Sequence, residues 1–322
     1  MESKALRVKR HLFAAAVLLL SSAVDLHADA VGELAGFSVF GKADPAQLAS
    51  GDAKTMRGPA MSSSRFLSVE SCWVSPGAPA QVSEALRKWN PAQHPELNIL
   101  LHGNGSDFSR LPQAPDNGAV RALVSATASK STSLQISREE AAKLPAGGNT
   151  MAGPVAAFWS SLLSARAAAG PFGQPPYDYT GQNVRAGDEI KALLGQQPKI
   201  QKQFSGLIGG KGEQYWELTE IESKGVLSLG ASYNRSVGNG SFQAADVIYY
   251  ASGGFYAGVT LYQMWPVDVG GKPSTLVWRG DMTSSAEIGD ARGIERLGSE
   301  SAMMKDVSRA VRLFRRDTSA TR

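Results

Sequence analysis

Residues 253–267 read GGFYAGVTLYQMWPV, and the alternation of their apolar side chains decides the fold of the chain. After the Gly-Gly break, Phe255, Val259, Leu261 and Trp265 fall on one face of an extended strand. Tyr256, Thr260, Tyr262 and Met264 fall on the other. Both faces are rich in apolar or aromatic groups, so the strand is expected to be central, covered on both sides or folded around a cavity. The same period of two runs through EQYWELTEI (213–221), KGVLSLGASYN (224–234), AADVIYYAS (244–252) and KPSTLVWRGDM (272–282). The links between these runs are too short for parallel crossovers, which predicts a five-strand antiparallel meander. Gly253-Gly254 and Gly270-Gly271 stand where hairpin turns are needed.

Working outward, RFLSVESCWV (65–74) predicts a strand with Leu67, Val69 and Trp73 on one face and Phe66 and Val74 on the other. A helix follows in PAQVSEALRKW (79–89), stopped by Pro91 and Pro95, and then a second strand in ELNILLHG (96–103). Residues 104–208 change character. NGAVRALVSATA (117–128), SREEAAKL (137–144), GPVAAFWSSLLSARAAA (153–169) and GDEIKALLGQQ (187–197) are helical patterns, the second opened by a Ser137/Glu140 capping box. Tyr177 and Tyr179, in the turn-rich segment 170–183, are packing anchors or ligand contacts. At the C-terminal end, Met303, Val307, Ala310, Val311 and Phe314 form the apolar stripe of a long helix. The expected class is α+β: an antiparallel sheet packed on a long C-terminal helix, with a helical insertion. The sheet domain spans 65–103 and 209–317, the insertion 104–208, and a short tail 318–322.

The N-terminal end has the layout of a secretory signal peptide. Lys4, Arg7, Lys9 and Arg10 precede an unbroken apolar run, Leu12 to Leu20, and the small-residue site Ala28-Asp29-Ala30. Residues 1–30 are therefore expected to be removed by cleavage after Ala30, and the mature chain exported to the periplasm or beyond. The apolar run is shorter than the roughly 20 residues a membrane span needs. Residues 31–64 are expected to form a flexible leader. Cleavage would leave 29 Lys and Arg against 26 Asp and Glu, too weak an excess for a nucleic-acid binder. Cys72 is the only cysteine; it has no partner for an internal disulfide, and its strand-like surroundings predict burial.

The patterns that would carry catalysis are mostly incomplete. NILLHGNGSDF (98–108) is similar to the strand and oxyanion loop of α/β-hydrolases, but no histidine follows His102, so no downstream serine has its base. His102 is expected at a strand end, with Gly103 and Gly105 supplying positive φ. His94 and His102 lack metal-ligand spacing, with Asp107 the only conceivable third ligand, and no metal or cofactor is expected. Arg279 and Asp281, on one face of LVWRGDM, are expected to be solvated strand-end charges.

The element order, carried by RFLSVESCWVSPGAPAQVSEAL (65–86) and ERLGSESAMMKDVSRAVRLFRR (295–316), resembles the helix-grip arrangement of the START and polyketide-cyclase-like superfamily. That resemblance implies a sheet wrapped around a C-terminal helix with an apolar cavity between them. The leading expectation is non-catalytic binding of an apolar small molecule or lipid, held by Tyr250, Tyr256, Tyr262, Trp265, Trp278, Met303 and Val307. The alternative is an envelope protein partner docking through the helical insertion, without a small ligand. A hydrolase using the HGNG loop stands third.

Overall fold

The computed structural model describes residues 30–179, 181–290 and 294–320. The signal segment, apart from Ala30, lies outside the described residues. The stretch expected as a flexible leader is built into the fold. Residues 30–37 form helix α1, and Asp44 caps α2 (Pro45–Ser50) by accepting from the Ala46 and Gln47 amides. Strand β1 (Lys54–Arg57) pairs with β2 (Phe66–Pro76). The anchors are sparse in sequence, but Leu34, Phe37, Phe40 and Leu48 are all buried in the main core. A few deeply buried side chains suffice to tie down a segment that composition alone marks as a spacer.

Helix α3 (Pro79–Lys88) and strand β3 (Ile99–Asn104) follow. The insertion carries α4 (Gly118–Ala128), α5 (Arg138–Ala141), α6 (Gly153–Ala169), α7 (Ala186–Gly195) and α8 (Pro198–Gln203). The meander is β4 (Glu213–Ile221), β5 (Lys224–Gly238), β6 (Ser241–Ala251), β7 (Ala257–Val269) and β8 (Lys272–Ser284). Two helices close the chain, α9 (Ala286–Asp290) and α10 (Ile294–Ala320), so most of the expected tail is helical. The fold is α+β. One antiparallel sheet runs in the order β1-β2-β8-β7-β6-β5-β4-β3. Because β3 and β4 are neighbours, the helical block leaves and re-enters the sheet at one edge. Among the described residues, no helix is long and apolar enough to cross a membrane.

The β7–β8 hairpin turns on Gly270 (φ 60°) and Gly271 (φ 77°), with the Gly271 amide donating to Asp268 at 2.7 Å. Positive φ at two successive positions is what a tight hairpin requires, and glycine adopts it without steric cost. The capping box at Ser137 forms as expected, with Glu140 accepting from the Ser137 amide at 2.7 Å.

Alternation along the strands separates two cores. On one face α2, α4 and α7 lie against the sheet, over a large core that includes Cys72, Trp216, Val247, Leu261, Trp265 and Trp278. Tyr177 belongs to that core, donating to the Tyr256 carbonyl and accepting from the Ala251 amide, so it is a packing anchor. Burial there pushes the Cys72 thiol up to about 12. On the other face α3 and α10 cover the sheet, over Val69, Trp73, Val82, Tyr262, Met264, Val277, Val307, Val311 and Phe314.

Candidate functional site

The second face does not close completely. A cavity of about 940 Å³ remains between the sheet, α3 and α10. Its apolar wall includes Leu86, Trp89, Ile99, Ile248, Phe255 and Val307. The α10 side is fixed by its far end. Asp317 accepts from Trp89 Nε1 at 2.8 Å and meets His94 Nε2 at 2.7 Å, while Phe314 packs edge-on to Trp89 at 5.8 Å. Burial would raise the Asp317 carboxyl, but the Trp89 and His94 bonds prevail and hold it low.

The floor is polar, and the pleat explains why. Antiparallel register sets His102 opposite Glu217, Ser232 opposite Asp246, Asp246 opposite Thr260, and Tyr262 opposite Arg279. Side chains at these positions point to the same face of the sheet. Arg279 donates to Asp281 through Nε and Nη2, each at 2.7 Å, and lies 5.5 Å from the Tyr262 ring centroid. Thr260 adds a bond to Asp281 at 2.9 Å. The expectation of solvated strand-end charges is thus overturned: the side chains of Arg279 and Asp281 are only 16% and 7% exposed. They sit within a long β8 that continues to Ser284, on a face roofed by helices.

His102 Nδ1 meets Glu217 Oε1 at 3.0 Å, and its ring stacks on Tyr215 at 5.9 Å. Burial would lower the imidazole pKa; the bond and charge of Glu217 outweigh it, and the net direction is upward. His102 lies inside β3, not at its end. Gly105 has positive φ (73°), but Gly103 does not. Gly103 is required for a different reason: a Cβ there would lie 2.3 Å from Trp216 Nε1. Asp107 is exposed and accepts from the Ser109 amide, His94 pairs with Asp317, and the three conceivable metal ligands have separate engagements. Gly230 is likewise a close-approach position, since an added Cβ would lie 2.1 Å from Tyr215 Cζ. The Tyr215 ring therefore covers bare backbone on the cavity floor.

Asp246 is the group whose surroundings are least ordinary. It accepts from the Ser232 hydroxyl. Burial raises its carboxyl above the usual range, against the Ser232 bond and the charge of Arg279, and the charges of Glu217 and Asp281 add to the rise.

Of the residues expected to hold a ligand, Tyr262 and Val307 line the cavity. Met303 packs on the edge of the second core, off the cavity wall. The other four face the opposite core. Trp265 Nε1 donates to Glu33 at 2.7 Å, beside a separate space of about 210 Å³, and Trp278 Nε1 donates to Glu70 at 2.9 Å. Tyr250 and Tyr256 pack around Tyr177, at 6.1 and 6.0 Å. Two local irregularities move these tyrosines. The β5–β6 register shifts so that Leu229 pairs with Tyr250 and Gly230 with Ile248, leaving Tyr249 as an extra residue. Such a bulge flips every later side chain to the other face. Strand β7 begins only at Ala257, so the bend before it sends Phe255 to the cavity and Tyr256 away. The polar floor of Tyr215, Glu217, Ser232, Asp246 and Arg279 was missed as a set. Its signal was present: polar residues of matching parity on strands otherwise apolar.

No family model, curated protein or solved structure matches the chain.

Proposed function

We propose that the protein is an exported, non-catalytic binding module that holds a small, largely apolar molecule between its sheet and its terminal helix. One observation carries this reading: the cavity of about 940 Å³ under α3 and α10. Ligand sites of roughly 300–1,000 Å³, mostly apolar with a few placed polar groups, are typical of small-molecule binders. The antiparallel sheet with the long C-terminal helix against it also supports the helix-grip resemblance, and the basic and apolar N-terminal layout supports export. The insertion gives little support to a docking role. Val120, Leu123, Val124, Trp159, Ile190 and Leu193 are turned into the main core, where they cover the sheet.

The test is uptake of the neutral dye Nile red. Ala244 lies on the cavity floor opposite Tyr262, so Ala244→Trp places an indole in the middle of the space and obstructs it. Saturable fluorescence enhancement by the wild type, lost in an Ala244→Trp variant that keeps a near-normal Tm, is the expected result. No enhancement, or equal enhancement in both proteins, overturns the proposal.

A further inference from the structure

The ionisable side chains around the cavity can be paired off from their contacts. At the rim, Arg87 is bound to Glu84 and Glu213, and Lys88 to Glu84. On α10, Asp306 is bound to Arg309. On the floor, Arg279 is committed to Asp281 through both donors, and His102 to Glu217. Among the described residues, Asp246 lines this cavity with no cationic partner, its bond being the Ser232 hydroxyl. The nearby charges do not supply one. Arg279 attracts it, but the carboxylates of Glu217 and Asp281 repel it.

A second observation marks the same place. Tyr262 is 6% exposed, and its ring faces the cavity diagonally across from Asp246. Its hydroxyl makes no hydrogen bond with the described residues and opens onto the cavity, where it is free to bond a bound molecule. Tyr215, across the β4–β5 pair, presents a second aromatic ring to the cavity. A carboxyl without a cation, between two tyrosine rings and under an apolar roof, is complementary to a group that is positively charged, donates hydrogen bonds and carries an apolar body. Carboxylates attract such a group by charge-assisted hydrogen bonding; the Tyr262 ring already meets Arg279 and the Tyr215 ring lies between His102 and Gly230, so the two rings serve as walls around the carboxyl.

We propose that the cavity selects a lipophilic amine, its protonated nitrogen held by Asp246 between Tyr215 and Tyr262 and its apolar body lying against Leu86, Trp89, Phe255 and Val307. This assignment rests on the binding-module reading and names the ligand class for the same cavity. An anionic lipid head is disfavoured, because Arg279 is already occupied by Asp281. A neutral alcohol can bond Asp246 but leaves its charge uncompensated. The overall charge gives amines no general advantage, since the chain carries a net charge of +4.

The experiment measures the affinity of the full chain, by calorimetry, for decylamine, decan-1-ol and decanoate, three probes with the same apolar chain and different heads. Decylamine should bind at least about tenfold tighter than decan-1-ol, the discrimination expected of one charge-assisted contact, and decanoate weakest. Asp246→Asn should abolish the preference while leaving decan-1-ol affinity within about twofold. The wild-type comparison alone decides the assignment if that variant does not fold. Equal or tighter binding of decan-1-ol by the wild type, or a preference that survives Asp246→Asn, overturns the amine assignment while the cavity remains a binding site. Binding of none of the three overturns both.

Discussion

Arg279 and Asp281, two residues apart on β8, clasp each other through two 2.7 Å bonds on the cavity side of the sheet. A pair this poorly exposed is held because each partner satisfies the other, and removing one leaves a charge in a place where water is scarce. Asp281→Ala is therefore expected to cost about 3 kcal/mol, the lower end for a buried pair because the cavity leaves one side open. The joint replacement Arg279→Met with Asp281→Leu should cost less than Asp281→Ala alone. Chemical denaturation of both variants checks this, and a double variant less stable than the single one contradicts it.

The Tyr215 ring lies where a Gly230 side chain would be. Gly230→Ala should destabilise the protein by roughly 1–3 kcal/mol through overpacking. Combining it with Tyr215→Ala should remove most of that increment, because the two positions contest one volume. Purely additive effects in the four-protein cycle would show that the ring and the backbone are not in contact.

Phe314 is 3% exposed and packs on Trp89, whereas the neighbouring Arg315 donates to the Gly51 carbonyl at 3.0 Å near the surface. Phe314→Ala is expected to cost about 3–5 kcal/mol, and Arg315→Ala about 1 kcal/mol or less. Thermal unfolding of the two variants side by side measures the difference. Similar small shifts would mean that α10 does not clamp the sheet.

Glu70 lies under Trp278 in the main core. One oxygen accepts from Trp278 Nε1 and the Val39 amide, and the other has no hydrogen-bond partner among the described residues. Burial outweighs those two bonds and holds the carboxyl above its ordinary value of 4.5. Folding thus favours the protonated form. Its stabilising contribution is full below the unfolded value and is lost as pH rises through the folded one. Glu70→Gln, neutral at every pH, should melt higher than the wild type at pH 8, with the gap closing as the pH falls toward 4. A gap independent of pH would rule this out.

Alternation in the sequence determined the meander, its antiparallel sense and the clamp of the terminal helix, because these follow from which residues repeat at two or near 3.6 along one segment. The buried Cys72 and the Ser137 cap were legible for the same reason: their causes are local. The cavity was decided by tertiary structure. A bulge at Tyr249 and a late start of β7 turned Tyr250 and Tyr256 away from the face that simple parity assigns them. The residues that replace them come from β3, β4, β5, β6 and β8, and meet only through cross-strand register. Arg279 and Asp281 look like surface charges in LVWRGDM because sequence reports their polarity but not the helices above them. Leu34 and Phe37 look like a spacer because burial depends on the distant sheet they meet. Face and neighbour along one strand are set by bond geometry. Depth and charge compensation are set by what packs from elsewhere.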